Sequence, residues 1–379
     1  MAAVSNVLVI GGGIGGLTAA IALRRQRIKV DLIEIKPDLS VYGVGIIQPN
    51  NTLRALDQIG LARRCVELGA AYPGWRIHDA AGGFLFEAPT TDRAAPGMPP
   101  INGITRPLLH KVLTNAAEDA GVSIRLGTSL AELEDCGDQV HVRFNGGDEA
   151  AYDYVIGCDG VYSDTRRRLF GDLATPSYSG QVVWRYNLPR PARVKWGEIY
   201  FGPDSKVGLV PIAPSLMYMF LVTAEPDNPR FPGDQLAALM RQRLAAYSGF
   251  VGELREQIVD SSSVVCRPLE HVLLPPPWFK GRAIIIGDAA HATTPHLAQG
   301  AAMAIEDAVL LAELLGRDAP LPVLHEEFMT RRYARARYVI ESSRQISRWE
   351  MEQWRGIHNP EARPGELLGE ASLALLEPY

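Results

Sequence analysis

Six residues near the N-terminus, GGGIGG at 11–16, constrain the fold of this chain more than any other stretch. They follow a short apolar run, Val7 to Ile10, read as a buried parallel strand. LTAAIALRRQ then reads as a helix, and VDLIEI as a second strand ending near Glu34. Strand, glycines, helix, strand and acid in that order form a dinucleotide fingerprint; a lone G-x-G-x-x-G would mark only a tight turn. Gly11 permits the turn, Gly13 lets a pyrophosphate approach the backbone, and Gly16 lets helix and strand pack closely. Ile14 and Gly15 complete the loop and open the helix, whose N-terminus faces the phosphates. Glu34 can accept hydrogen bonds from ribose hydroxyls. An acid there argues against a 2′-phosphate, so FAD or NAD is favoured over NADP at this site.

A second ligand-facing stretch lies late in the chain, AIIIGDAAHATTPHLAQGAAMAIEDA at 283–308. A buried strand ends in Gly287-Asp288. A turn with His291, Pro295 and His296 follows, then a helix that opens on small residues at Gly300 and runs to about Gly316. A carboxylate at a strand end before an open helix N-terminus suits a ligand with hydroxyls to hold and negative charge to offset.

With 379 residues, about two domains are expected. The chain is 47% hydrophobic and 21% charged, which argues against disorder. A net charge of -5 gives no case for nucleic acid or an anionic membrane. No apolar run reaches the ~18 residues of an integral membrane segment, and no secretory signal is visible. Cys65, Cys136, Cys158 and Cys266 are scattered, without a C-x-x-C pair. Reduced thiols, a cytoplasmic location and no metal site are expected.

Between the two ligand-facing stretches the pattern alternates. Residues 41–61 hold a glycine pair, Gly43 and Gly45, then a helix from about Asn50 to Gly60; taken alone they read as a connecting segment. Residues 73–98 read as a hairpin turning at Gly82-Gly83. Arg106 precedes Pro107 at a helix start, either as a solvated surface group or as a cofactor phosphate contact. A strand ends in Cys158-Asp159-Gly160 before SDTRRRLFG, whose arginines read as a solvated face. Residues 178–274 are rich in β-forming residues and carry Trp184, Tyr186, Tyr200, Phe201, Tyr218 and Phe220 as pocket candidates. One helix near 234–257 interrupts them. RRYARAR in the tail reads as an exposed charged helix face.

The three motifs GGGIGG with Glu34, CDGVYSDTRR at 158–167 and GDAAHATTPHLAQGAAMAIEDA at 287–308 occur in order and span nearly the whole chain. Together they resemble the single-component FAD-dependent aromatic hydroxylases, the group A flavoprotein monooxygenases of para-hydroxybenzoate hydroxylase type. The resemblance implies an α/β fold. A Rossmann-like, GR2-type FAD-binding domain (1–72, 99–175 and 275–379, including helical C-terminal residues) would carry an inserted, mostly antiparallel β-sheet substrate domain (73–98 and 176–274). It implies tightly bound, non-covalent FAD, NADH or NADPH as transient reductant, O2, and a small aromatic or N-heteroaromatic substrate hydroxylated through a hydroperoxyflavin. A monomer or homodimer is expected.

Residue by residue, the resemblance places Glu34 on the adenosine ribose and Arg106 on the phosphate or ribityl region. Gly45 and Gln48 would lie near the flavin, Asp159 would serve FAD and the passing nicotinamide, and Asp288 would hold the ribityl hydroxyls. Pro295 through Gly300, Ala301 and Ala302 would line the ring, with backbone N–H groups near its N1–C2=O edge, where reduced flavin is negative. Three residues are candidates for work on the substrate. His296 is read as a base or acceptor for its hydroxyl, or else as a structural turn histidine. Tyr218 is read as a substrate contact, and Arg185 as a carboxylate partner or a flavin brace. Ala292 stands where many relatives carry proline. The same fold also serves reductases and oxygenases of quinones or carrier-bound substrates. A non-catalytic FAD scaffold is the remaining alternative.

Overall fold

The computed structural model describes residues 3–41 and 43–379. One layer is a six-stranded sheet ordered Phe279–Lys280, Ala283–Ile285, Tyr154–Gly157, Asn6–Ile10, Lys29–Ile33, Ser123–Arg125. Neighbours run parallel except the edge strand Phe279–Lys280. Val7, Leu8, Val9, Val155, Ile156, Ile284 and Ile285 are inaccessible to solvent, the pattern of a parallel sheet covered on both faces. The fingerprint helix Ile14–Arg25 and the late helix Gly300–Leu315 pack against one another. Gly11 takes a φ of +108°, and a Cβ on Gly16 would stand 1.9 Å from the Gly11 carbonyl oxygen. Only glycine fits either place.

The hairpin strands Gly74–Asp79 and Phe84–Pro89 join the strands between Ser177 and His271 in a single seven-stranded sheet. Its order is Val265–His271, Ser177–Pro189, Leu216–Ala224, Ser205–Ala213, Gly197–Phe201, Gly74–Asp79, Phe84–Pro89. Pairing is antiparallel apart from Gly197–Phe201 against Gly74–Asp79. A small antiparallel sheet, Gly45–Pro49, Ile101–Thr105 and Ala70–Tyr72, packs on Ser205–Ala213 and so joins the two layers. Residues 130–152 form a separate antiparallel meander.

Strand period two sorts the aromatic residues of the large sheet. Trp184, Tyr186, Leu188, Tyr200, Leu209 and Met219 face a core closed by the helices Leu236–Arg243 and Gly249–Arg255. Val183, Arg185, Asn187, Tyr218 and Phe220 face the opposite way, toward the first layer. The pocket expectation is therefore corrected for Trp184, Tyr186 and Tyr200, and Phe201 is surface-exposed. The 234–257 region is two helices, not one.

The last long helix, Leu321–Trp354, has 34 residues and reaches about 50 Å. It packs on both the late helix and the large sheet. Two expectations of solvated arginines are overturned here. Arg332 is fully buried, bonded to Glu306 Oε2 at 2.8 Å and Asp307 Oδ1 at 2.7 Å. Arg166 is buried and donates to the carbonyls of Val161, Ala174 and Ala289. A guanidinium enters a core when several fixed acceptors await it.

Candidate active site

The first layer carries a shelf of unsatisfied donors. Gly13 caps the fingerprint helix without a side-chain acceptor, and no atom lies within 4 Å of where its Cβ would be. Glu34 closes the loop, accepting from Gly12 N at 2.7 Å and Lys36 N at 3.0 Å. The late helix is likewise uncapped. Gln299, at its cap, exchanges its amide with Asn51 instead, at 3.0 and 3.2 Å. The first N–H groups at Gly300, Ala301 and Ala302 thus have no side-chain acceptor. Gly300 and Ala301 are half-exposed, Ala302 is buried, and Pro295 is exposed.

Asp288 opens the short helix Asp288–His291 after Gly287. Its side chain is open to water although dense protein lies around it. That crowding pushes its carboxyl up, opposed by His291 and Arg106. Two open helix N-termini and one exposed carboxylate suit phosphates, a ring oxygen edge and a row of hydroxyls. The residues present fit FAD.

The opposite wall comes from the large sheet. The fields of Arg106 and Arg185 both act on Tyr218, and that of Arg106 also acts on Asp288 and Arg185. Arg106 thus lies within electrostatic reach of the other three. Arg106 follows the Thr105 cap, donates its backbone N–H to Val44 O at 2.8 Å, and leaves its side chain exposed. Arg185 has no hydrogen-bond or ion-pair partner among the described residues, and burial disfavours its charge. Burial pushes the Tyr218 phenol up to about 12. A Cβ on Gly45 would stand 2.1 Å from Tyr218 Cδ1, so this glycine makes room for the ring.

Three predicted residues already have protein partners. Gln48 is buried at 1% exposure, with Oε1 accepting from Asn102 Nδ2 at 2.8 Å. Its Nε2 has no protein partner among the described residues. Asp159 braces the first turn of the helix Asp164–Phe170, which Ser163 caps, accepting from Thr165 N and Oγ1 at 2.9 Å and from Ser163 Oγ. His296 is sealed, with Nδ1 3.0 Å from Thr294 Oγ1 and Nε2 3.2 Å from Glu350 Oε2. Both nitrogens are occupied, which corrects its reading as a base facing the substrate.

Sequence reasoning missed Glu306, Asp307 and Glu350. Asp307 accepts from Gly287 N at 2.9 Å, from Arg332 and from His291, bracing the turn that presents Asp288. The signal was available: two adjacent acids on a helix otherwise rich in Ala, Leu, Ile and Val need buried cations. A separate cavity of about 570 Å³, lined by Arg76, His78, Glu198, Tyr200 and Phe250 among others, sits at the far edge of the large sheet and shares no residue with this cleft.

The two-layer fold and the open helix ends together define an FAD-binding flavoprotein. A family model described as FAD binding domain matches residues 4–343. Aurachin C monooxygenase/isomerase of Stigmatella aurantiaca is 32% identical over 91% of this chain and 90% of its own. A 2-heptyl-3-hydroxy-4(1H)-quinolone synthase of Pseudomonas aeruginosa is 30% identical over 92% and 90%. A 3-hydroxybenzoate 6-hydroxylase of Polaromonas naphthalenivorans is 30% identical over 90% and 87%. Klebsiella pneumoniae HpxO complexed with FAD and uric acid shares the fold, with TM-score 0.84, 22% identity and 98% and 97% coverage. The chain belongs to the group A flavoprotein monooxygenases and is an FAD-dependent monooxygenase, a family whose usual reductant is NAD(P)H.

Proposed function

We propose that the protein hydroxylates a small aromatic or N-heteroaromatic ring bearing an oxygen substituent, of hydroxybenzoate or hydroxypyridine kind, using NAD(P)H and O2. One observation carries this reading: the guanidinium of Arg185 has no protein hydrogen bond among the described residues, and it sits within electrostatic reach of Tyr218 and Arg106 on the sheet face turned toward the first layer. A half-buried guanidinium with no protein acceptor favours a ligand that brings one, such as a phenolate, ring carbonyl or carboxylate. Names among the relatives agree in kind, since they include a hydroxybenzoate hydroxylase and a quinolone synthase.

Bound FAD would supply hydride acceptance and oxygen activation. Asp288 would hold the ribityl hydroxyls, Glu34 the ribose, and Arg106 the negative charge of the phosphates. The N–H groups at Gly300 to Ala302 would meet the electron-rich edge of the ring. Arg185 and Tyr218 would orient the substrate oxygen, and Arg185 would favour its ionised form, which activates the ring toward electrophilic oxygen. The apolar lining from Val210, Ile212 and Phe220 would limit water.

The purified protein should be yellow. Its NAD(P)H oxidation should rise with selected members of a panel of hydroxybenzoates, hydroxypyridines and hydroxyquinolones, with one ¹⁸O atom from ¹⁸O₂ in the product. A panel that leaves NAD(P)H oxidation at its basal rate and yields no labelled product rejects the assignment.

A further inference from the structure

His296 is joined to Glu350 on the long helix, and Glu350 is joined to the large sheet. Glu350 Oε2 accepts from Gln181 Nε2 at 3.0 Å and faces His296 Nε2 at 3.2 Å, while Oε1 pairs with the Lys206 ammonium. Gln181 Oε1 in turn accepts from Ser347 Oγ at 2.7 Å. Gln181 and Ser347 are buried, and the side chains of His296, Glu350 and Lys206 are 1%, 9% and 13% exposed. The helix Pro364–Ala374 packs on the same turn, where Leu297 meets the apolar Ala371 and Leu375. The charged groups acting on His296 are Lys206 and Glu350.

Proton counting fixes the arrangement. An ionised carboxylate only accepts, so His296 Nε2 carries the hydrogen. Thr294 is the partner of Nδ1, which accepts its hydroxyl if the ring is neutral. Glu350 already has a full cation in Lys206. A second one, an imidazolium, would leave net positive charge in a buried cluster.

We propose that Lys206 and Glu350 are positioning residues that hold His296 as the neutral Nε2–H tautomer and so pin the turn Pro295–Leu297 to both the sheet and the long helix. The turn is thereby kept free of formal charge. Negative charge on the ring it lines would then be met by backbone N–H groups alone, a consequence that rests on the placement of Pro295–Ala302 along the flavin.

Direct-detected ¹⁵N or ¹³C spectra of His296, taken on the FAD-free protein, test the pair without reference to the flavin. Wild type should show the neutral Nε2–H tautomer at neutral pH. Lys206→Met should convert it to imidazolium, because Glu350 then needs another cation; Glu350→Gln should leave it neutral. An imidazolium in wild type, or a neutral ring in a folded Lys206→Met protein, overturns the proposal. The wild-type spectrum decides even if Lys206→Met fails to fold. With FAD bound, Lys206→Met should raise the flavin midpoint potential and steepen its pH dependence beyond that of flavin protonation itself, and Lys206→Met/His296→Asn should remove the excess. Spectra as expected with an unmoved potential would reject the flavin placement and retain the pair.

Discussion

The ring of Tyr218 occupies the space a side chain on Gly45 would need: a Cβ there would stand 2.1 Å from Cδ1 and 2.6 Å from Cε1. Gly45 belongs to the small bridging sheet and Tyr218 to the large one. The two layers thus meet at the residue proposed to orient the substrate. Gly45→Ala should push the ring or the strand aside at a cost of about 1–3 kcal/mol. FAD affinity should stay near wild type while KM for the aromatic rises roughly tenfold and coupling falls. Steady-state kinetics with product quantified per NAD(P)H would check this; unchanged KM and coupling would place Tyr218 away from the substrate.

Arg185→Met should leave the flavin spectrum intact and lower kcat/KM by roughly 10- to 100-fold, the scale of one lost hydrogen bond to a charged group. Arg185→Lys should restore little, because a point charge does not reproduce a planar fork. If Arg185→Met instead strips FAD and spares turnover in excess FAD, the arginine braces the cofactor.

Asp288→Ala removes the carboxylate expected to hold ribityl hydroxyls. FAD affinity should fall about 10- to 100-fold, measured by flavin fluorescence on titration. His296→Ala, by contrast, should weaken FAD less and act through the loosened turn.

Much of the fold was legible because its signals are local. The fingerprint at 11–16, the strand end at Asp288 and the small-residue helix start at Gly300 each announce their geometry within a few residues. What stayed hidden depends on partners far along the chain. Arg332 reads as a surface residue until Glu306 and Asp307 are seen against it. His296 reads as a free base until Glu350 closes on it, 54 residues later. Which aromatics face the cleft was a question of register, since one step along a strand exchanges Trp184 for Arg185.

The buried ion network makes a stability prediction. Arg332→Met should take the guanidinium from Asp307, while Glu306 keeps Arg335, and cost about 3–5 kcal/mol. The exposed pair Arg317–Glu313 should contribute less than about 1 kcal/mol when cut. Denaturant midpoints for the two variants would separate the cases; equal losses would mean that water already screens the interior pair.

Acid should find the same weak points, with a definite sign. Burial pushes the Glu350 carboxyl up, but Lys206 and His296 outweigh it and bring it down to about 2, from 4.5 when free. Burial likewise opposes ionisation of Asp307, yet His291 and Arg332 hold it well below the usual carboxylate range. A group whose folded value is depressed binds its proton more readily when unfolded, so its stabilisation is complete above the unfolded value. It is lost as pH falls through the folded value. Unfolding free energy should therefore decline from about pH 4.5 toward pH 2, and Glu350→Gln should make that decline shallower while lowering stability at neutral pH. Denaturant titrations at a series of pH values would show it. An acid limb as steep in Glu350→Gln as in wild type would mean that Lys206 does not hold this carboxylate ionised.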